Sequence, residues 1–299
     1  MALASCGGST PAPAASDRPY PATGLVLLSL VDGLKRASAS VGTDPVAVIV
    51  SADGSVAYVA DSEPGDVYGV RLPDLKVAWK QHVGGAPFGL LLHSGSLFVS
   101  LYDGGAVVEL NPATGAKVRS VSVTPRPAAI SLDANGRVIV AGTSGRVEYL
   151  DGTSLPGGPG FGIAAVGDQI WTADYERAEL VRSDGRRVGL PLPVFPFWLS
   201  AGSPGHLLIT AEGPREDSNP GGLFDLNTAT LQFTTLATPR DPDQVVMSGS
   251  RLLVAAHGDE NVLVIDGSTT TAWAQGIAPV GLAADPVLNL LVVVTNSHE

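Results

Sequence analysis

Apolar and polar positions along this chain alternate in short bursts, and the bursts recur. A Pro or Gly is followed by a short apolar run, a Gly/Asp/Asn turn and a second apolar run that ends on small or polar residues. A loop, a third run closing on Asp or Asn, and a fourth run complete the unit. Runs of this length bounded by turn residues predict strands. The anchors are Pro45, Pro87, Pro127, Gly160, Pro196, Pro242 and Pro279. Six intervals from Pro45 to Pro279 span 234 residues, a mean of 39. Four short strands at that period predict a β-propeller blade. One such sheet is apolar on both faces and cannot cover them alone, whereas radial stacking covers both and leaves only short edges. Ala, Gly and Val dominate the runs after the anchors, as crowding near a central axis demands. A proline there withholds no hydrogen bond that the incoming loop could have used.

Two units depart from the pattern in a useful way. The third is short around Leu155-Pro156-Gly157-Gly158, so its outer strand is expected to be frayed or missing. The fifth carries an insertion from Gly213 to Gly222, either tolerated surface drift or a lid over one face. The last unit, from Pro279 to Asn296, holds only two runs. Gly24 to Asp32 matches a third strand and Lys35 to Val41 a fourth, so the two ends of the chain are expected to build one blade together. The expected fold is an all-β, seven-bladed β-propeller of four-stranded antiparallel blades. Residues 20–299 form its single domain and residues 1–19 a flexible tether.

Composition agrees. Among 299 residues there are 36 Gly and 23 Pro, with 16% charged and 44% hydrophobic, which suits many strands joined by tight turns. No apolar stretch reaches the ~20 residues of a membrane span. A net charge of −11 repels phosphate backbones and anionic bilayers, so nucleic acid is not an expected partner. Cys6 is the single cysteine, which excludes an intramolecular disulfide, a c-type haem motif and a Cys-based zinc cluster.

In a blade of this kind the loop leading into the first strand and the loop leaving the second open on one face, around the mouth of the central channel. Those loops hold Asp61, Tyr102, Asp174, Tyr175, Glu212, His257 and Asn296, and also Asp44, Arg126, Arg240, Asp241 and Asp243. Asp61, Asp174, Glu212 and Asn296 occupy near-equivalent repeat positions. They either converge on the axis, where oxygen ligands suit Ca²⁺ or another hard divalent cation, or recur because Asp and Asn make local turn hydrogen bonds. Arg126 and Arg240 sit at the same loop of the third and sixth units. They either clamp a carboxylate or phosphate or pair with neighbouring acids. Tyr102, Tyr175 and His257 complete the candidate ligand-binding set. Trp79, Trp171, Trp198 and Trp273 are expected to pack within blades rather than form a ligand platform, with Trp198, beside Pro196, the one whose exposure is to be checked. Neither a Gly-x-Ser-x-Gly elbow nor a His-Glu-x-x-His motif occurs, and Gly157 to Gly162 does not open a helix, so it reads as a turn and not a phosphate cradle.

The segments Val293-Val-Thr-Asn296, Ala57-Tyr-Val-Ala-Asp61 and Ile170-Trp-Thr-Ala-Asp174 resemble the YVTN-type repeats of NHL/lactonase-like seven-bladed propellers. The resemblance covers about Gly24 to Asn296. It implies the propeller fold and a superfamily of binding modules, surface proteins, lactonases and lyases. The Asp/Glu/Asn set is similar to the divalent-metal site of gluconolactonase-type propellers. Leu3-Ala-Ser-Cys6-Gly7 resembles the bacterial lipobox, which implies lipidation of Cys6, an extracytoplasmic location and membrane contact only through that anchor. The expectation is a monomeric, non-enzymatic binding or scaffold module with a protein or small-molecule ligand at the channel face. The alternative is a metal-dependent lactonase- or lyase-type enzyme using the same mouth.

Overall fold

The structure is a computed structural model that describes residues 20–214 and 219–297. The lipobox-like Cys6, the tether and part of the fifth unit's insertion lie outside those residues. The chain opens with β1 (Thr23–Ser29) and β2 (Lys35–Ala39). Blade one follows as β3 (Pro45–Val50), β4 (Val56–Asp61), β5 (Asp66–Arg71) and β6 (Val77–His82). Blade two is β7 (Pro87–His93), β8 (Ser96–Leu101), β9 (Ala106–Leu110) and β10 (Lys117–Ser122). Blade three is β11 (Pro127–Leu132), β12 (Val138–Gly142), β13 (Arg146–Tyr149) and β14 (Ser154–Pro156). Blade four is β15 (Ile163–Val166), β16 (Gln169–Asp174), β17 (Glu179–Arg182) and β18 (Arg187–Gly189). Blade five is β19 (Phe195–Ala201), β20 (His206–Glu212), β21 (Gly222–Asn227) and β22 (Phe233–Ala237). Blade six is β23 (Pro242–Ser248), β24 (Arg251–Ala256), β25 (Asn261–Asp266) and β26 (Thr269–Trp273). Blade seven joins β27 (Pro279–Asp285) and β28 (Leu290–Asn296) to the N-terminal pair in the order β2-β1-β28-β27.

The composite seventh blade expected from the two incomplete ends is therefore formed. In β1, alternate side chains go to opposite neighbours. Leu25 and Leu27 pack with Val292 and Val294 against Val48, Val59 and Val70 of blade one. Val26 and Leu28 pack with Leu291 and Val293 against Leu253 and Val264 of blade six. A period of two thus fills both interfaces of a blade buried on both faces. The third blade corrects one expectation. Its outer strand, β14, is short but paired with β13 in regular register, because Leu155 still has Val147 opposite it.

At the inner strands the ladder slips just after the anchor proline. The register shifts between Pro45 and Ala47, Pro87 and Leu90, Pro127 and Ile130, Pro196 and Trp198, Pro242 and Val245, and Pro279 and Gly281. A bulge bends its strand and re-aims the side chains beside it. Here the residue after the anchor turns to the axis, so that Val46, Phe88, Phe197, Asp243 and Val280 line one central cavity. Hydroxyl and amide groups stitch the inner strands together. Ser100 accepts from the Gly89 amide and donates to the Ala128 carbonyl of the next blade. Thr210 does the same between the Trp198 amide and the Asp243 carbonyl, and Gln244 accepts from the Leu282 amide. The Gly89, Trp198 and Leu282 amides beside three of these bulges thus have side-chain partners.

Candidate functional site

Antiparallel pairing fixes which loops share a face. Pro45 pairs with Asp61, Pro87 with Leu101, Phe195 with Glu212 and Pro242 with Ala256. The loops leading into first strands and those leaving second strands therefore meet at the same mouth of the channel. Six aromatic side chains gather there from blades two, four and five. Phe161 is the hub. Its ring centroid lies 5.1 Å from Phe197, 5.9 Å from Phe88, 6.1 Å from Tyr102 in a near-parallel stack, and 6.2 Å from Tyr175 edge-on. Phe195 extends the cluster through Tyr175 at 5.3 Å. All six rings are partly exposed, unlike Phe98 and Phe224, which lie inside the blades.

The backbone carrying Phe161 is wedged between blades four and five. A Cβ on Gly160 would stand 2.7 Å from the Ala173 carbonyl oxygen, and one on Gly162 2.8 Å from the Phe197 carbonyl oxygen and the Leu199 nitrogen. Only glycine permits that approach on both sides of Phe161. The glycine-rich stretch is thus a seat for an aromatic ring. Phe88 and Phe197 also line a central cavity of about 40 Å³, together with Trp198 and Asp243. That is room for a water molecule or so, far below the few hundred Å³ of an enclosed ligand pocket. An occupant of ligand size would therefore rest on the mouth.

Tyr102 and Tyr175 belong to this cluster, and Arg126 joins them. Arg126, exposed and held at a φ of 53° ahead of Pro127, places its guanidinium 5.7 Å from the Tyr102 ring centroid. Arg240 does not mirror it. Its Nε donates to Asp259 Oδ1 at 2.8 Å and its backbone N–H to Oδ2 at 2.9 Å. The pairing reading, and not the two-arginine clamp, describes Arg240. Buried His257 faces blade six's own acid, with Nδ1 3.9 Å from Asp243 Oδ2. Trp198 is partly exposed and lines the cavity, whereas Trp171 is fully buried.

The four oxygen-bearing candidates are buried at the mouth, each engaged in local contacts. Asp61 Oδ1 accepts the amides of Thr43 and Asp44 at 2.9 and 2.6 Å. Burial raises its carboxyl above the ordinary value, against the lowering effect of those two amides. Asn296 donates to Asp44 across the seam between blades seven and one at 2.7 Å. Asp174 takes Arg187 at 2.6 Å and Arg177 at 3.2 Å. Glu212 accepts the Tyr175 hydroxyl. Among the described residues no group of three or more His, Cys, Asp or Glu is disposed to hold a metal ion. The donor set as placed does not fit Ca²⁺, which needs six or more oxygens about one point.

Sequence reasoning missed Phe88, Phe161, Phe195 and Phe197. A signal for three of them existed. Phe88, Phe161 and Phe197 each follow an anchor (Pro87, Gly160 and Pro196), so they share the repeat position that faces the axis.

The class that fold and mouth define is a seven-bladed, all-β propeller. No family model and no curated protein matches the chain. Among solved structures it is similar to a streptogramin B lyase, at 14% identity over 91% of this chain and 98% of that one, with a TM-score of 0.70. A proposed 6-phosphogluconolactonase from Bacteroides fragilis shares 12% identity over 90% and 99% of the two chains, with a TM-score of 0.66. BamB from Moraxella catarrhalis shares 16% identity over 94% of each chain, with a TM-score of 0.54. At these identities the likeness concerns the fold.

Proposed function

We propose that this propeller is a non-enzymatic, extracytoplasmic binding module that holds a ligand on the aromatic mouth of its channel. The observation that carries this reading is the cluster of six partly exposed rings around Phe161, two of which line a central cavity too small for an enclosed ligand. Partly exposed rings grouped in one concavity offer apolar area and ring faces to a partner. The YVTN/NHL-type lineage and an anchor at Cys6 belong to the same reading and rest on the sequence segments that resemble them. A panel of small cationic, neutral and anionic compounds, followed by tryptophan fluorescence, tests the site. Binders should perturb Trp198 and lose affinity in Phe161→Ala. Binders that hold equally well to that variant would refute the mouth as the site. Incorporation of labelled palmitate that is abolished in Cys6→Ala tests the anchor.

A lactonase- or lyase-type activity is the second reading. It is favoured by one feature, a buried imidazole whose Nδ1 makes no hydrogen bond and faces the carboxylate of Asp243 beside the channel cavity. It requires turnover of a lactone that His257→Gln removes. A chain inert toward a lactone panel returns the mouth to binding alone.

A further inference from the structure

The mouth combines two features with one meaning. Ring faces carry negative charge density, and Arg126 already lies over one of them, at Tyr102. The same face is rich in carboxylates: Asp44, Glu63, Asp103, Glu176, Asp243 and Glu260 all lie on its loops or at the first turn below them. Its other arginines do not offset this charge, because Arg177 and Arg240 are held by Asp174 and Asp259. One of those carboxylates, Asp243, stands on the cavity wall opposite Phe88 and shares it with Phe197 and Trp198. An anionic ligand would meet this field as a like charge. A strongly hydrated cation such as Na⁺ would gain little from ring faces. A cation with an apolar shell gains from both ring faces and carboxylates, since it sheds its water easily and fits a shallow apolar seat.

We infer that the mouth binds a small organic cation of the quaternary-ammonium type, its methyl shell on Phe88, Phe161 and Phe197 and its charge toward Asp243. This rests on the mouth being a binding site at all and adds the charge and class of the ligand. Arg126 then occupies part of the platform as a resident cation, and an incoming cation competes with it for the Tyr102 face. The mouth loops of a net-acidic protein also draw cations toward it by long-range attraction that salt weakens.

The test uses three probes of one shape on the full chain: choline, its neutral isostere 3,3-dimethyl-1-butanol, and anionic 3,3-dimethylbutyrate. Binding is read by tryptophan fluorescence and by NMR of the aromatic resonances. Choline should bind about tenfold or more tighter than the neutral isostere, with the butyrate weakest. Phe161→Ala should lose choline binding at least about tenfold, and Phe161→Leu, which keeps an apolar side chain but no ring face, should lose it likewise and serves as a second variant if the first unfolds. Asp243→Asn should narrow the gap between choline and the alcohol. Arg126→Gln, at an exposed position, should tighten choline a few-fold by clearing the Tyr102 face. If the alcohol or the butyrate binds as well as choline, and Phe161→Ala still loses it, the cation assignment fails while the site stands. If no probe of the three binds, the assignment and the site fail together.

Discussion

Leu27 offers a sharp test of how the ring is closed. It lies in β1 opposite Val292, fully buried, in the cluster shared by blades seven and one. Truncation to Ala removes buried methyl groups from an interface whose two walls are separate sheets already stapled by backbone pairing. The walls cannot collapse into the gap, so the cost should fall at about 3 kcal/mol, within the ~2–5 kcal/mol range for Leu→Ala in rigid cores. Val118→Ala on β10 is the control. Its side chain is 60% exposed, and the change should cost less than about 0.5 kcal/mol. Deleting β1 and β2 altogether removes Leu25, Val26, Leu27, Leu28 and Leu30, all nearly or fully buried. At about 1.5–3 kcal/mol each, their sum of about 10 kcal/mol equals the whole stability of an ordinary domain. The deleted chain should therefore not fold, and a synthetic peptide of residues 20–43 should restore it in trans. Urea unfolding followed by circular dichroism measures both. A Leu27→Ala cost as small as that of Val118→Ala, or a folded deletion variant, would refute the closure.

Three further outcomes follow from the same contacts. Burial raises the Asp61 carboxyl above its ordinary 3.8, so the folded chain holds that proton more tightly than the unfolded chain does. The stability linked to it is full below 3.8 and is lost as pH rises through the folded value. Asp61→Asn keeps the acceptor for Thr43 and Asp44 and cannot ionise, so its Tm advantage over the parent should grow from about pH 4 to about pH 7; a flat difference counts against the burial argument. Millimolar Ca²⁺ should leave the Tm within about 1 °C, whereas a saturable rise of several degrees would show a metal bound to the native fold. Gly162→Ala should lower stability by about 1–3 kcal/mol and weaken choline binding, because its Cβ meets the Phe197 carbonyl and displaces the ring seat; a variant that melts and binds like the parent would remove the wedge argument.

The repeat was legible because proline anchors and turn residues mark it in local chemistry, and because a blade buried on both faces leaves an apolar signature in every strand. The composite seventh blade was legible for the same reason, since Val26 and Leu27 must each find a sheet. The mouth was legible only in part. Tyr102, Tyr175 and Arg126 lie in loops, where position relative to the strands assigns the face. Phe88, Phe161 and Phe197 lie beside an anchor at the axis, where simple alternation does not distinguish a channel-facing side chain from a blade-facing one. The bulge after Pro87 and Pro196 shifts that phase, and no residue type announces it. The shared repeat position of Asp61, Asp174, Glu212 and Asn296 left two readings open, convergence on the axis or local bonding, because position in the repeat does not say where a side chain bonds. In the structure each has a local partner: the Thr43 amide, Arg187, the Tyr175 hydroxyl and Asp44.

The central claim is that the working face of this protein is the aromatic mouth. The chain has seven phenylalanines, and four of them, Phe88, Phe161, Phe195 and Phe197, belong to that cluster. NMR of a ¹³C-phenylalanine-labelled sample titrated with choline reads all seven at once. The account predicts saturable shifts at Phe88, Phe161 and Phe197, with Phe98, Phe224 and Phe233 unmoved. Shifts centred on Phe98, Phe224 or Phe233, or none at any phenylalanine with choline, its neutral isostere and its anionic isostere alike, would contradict it.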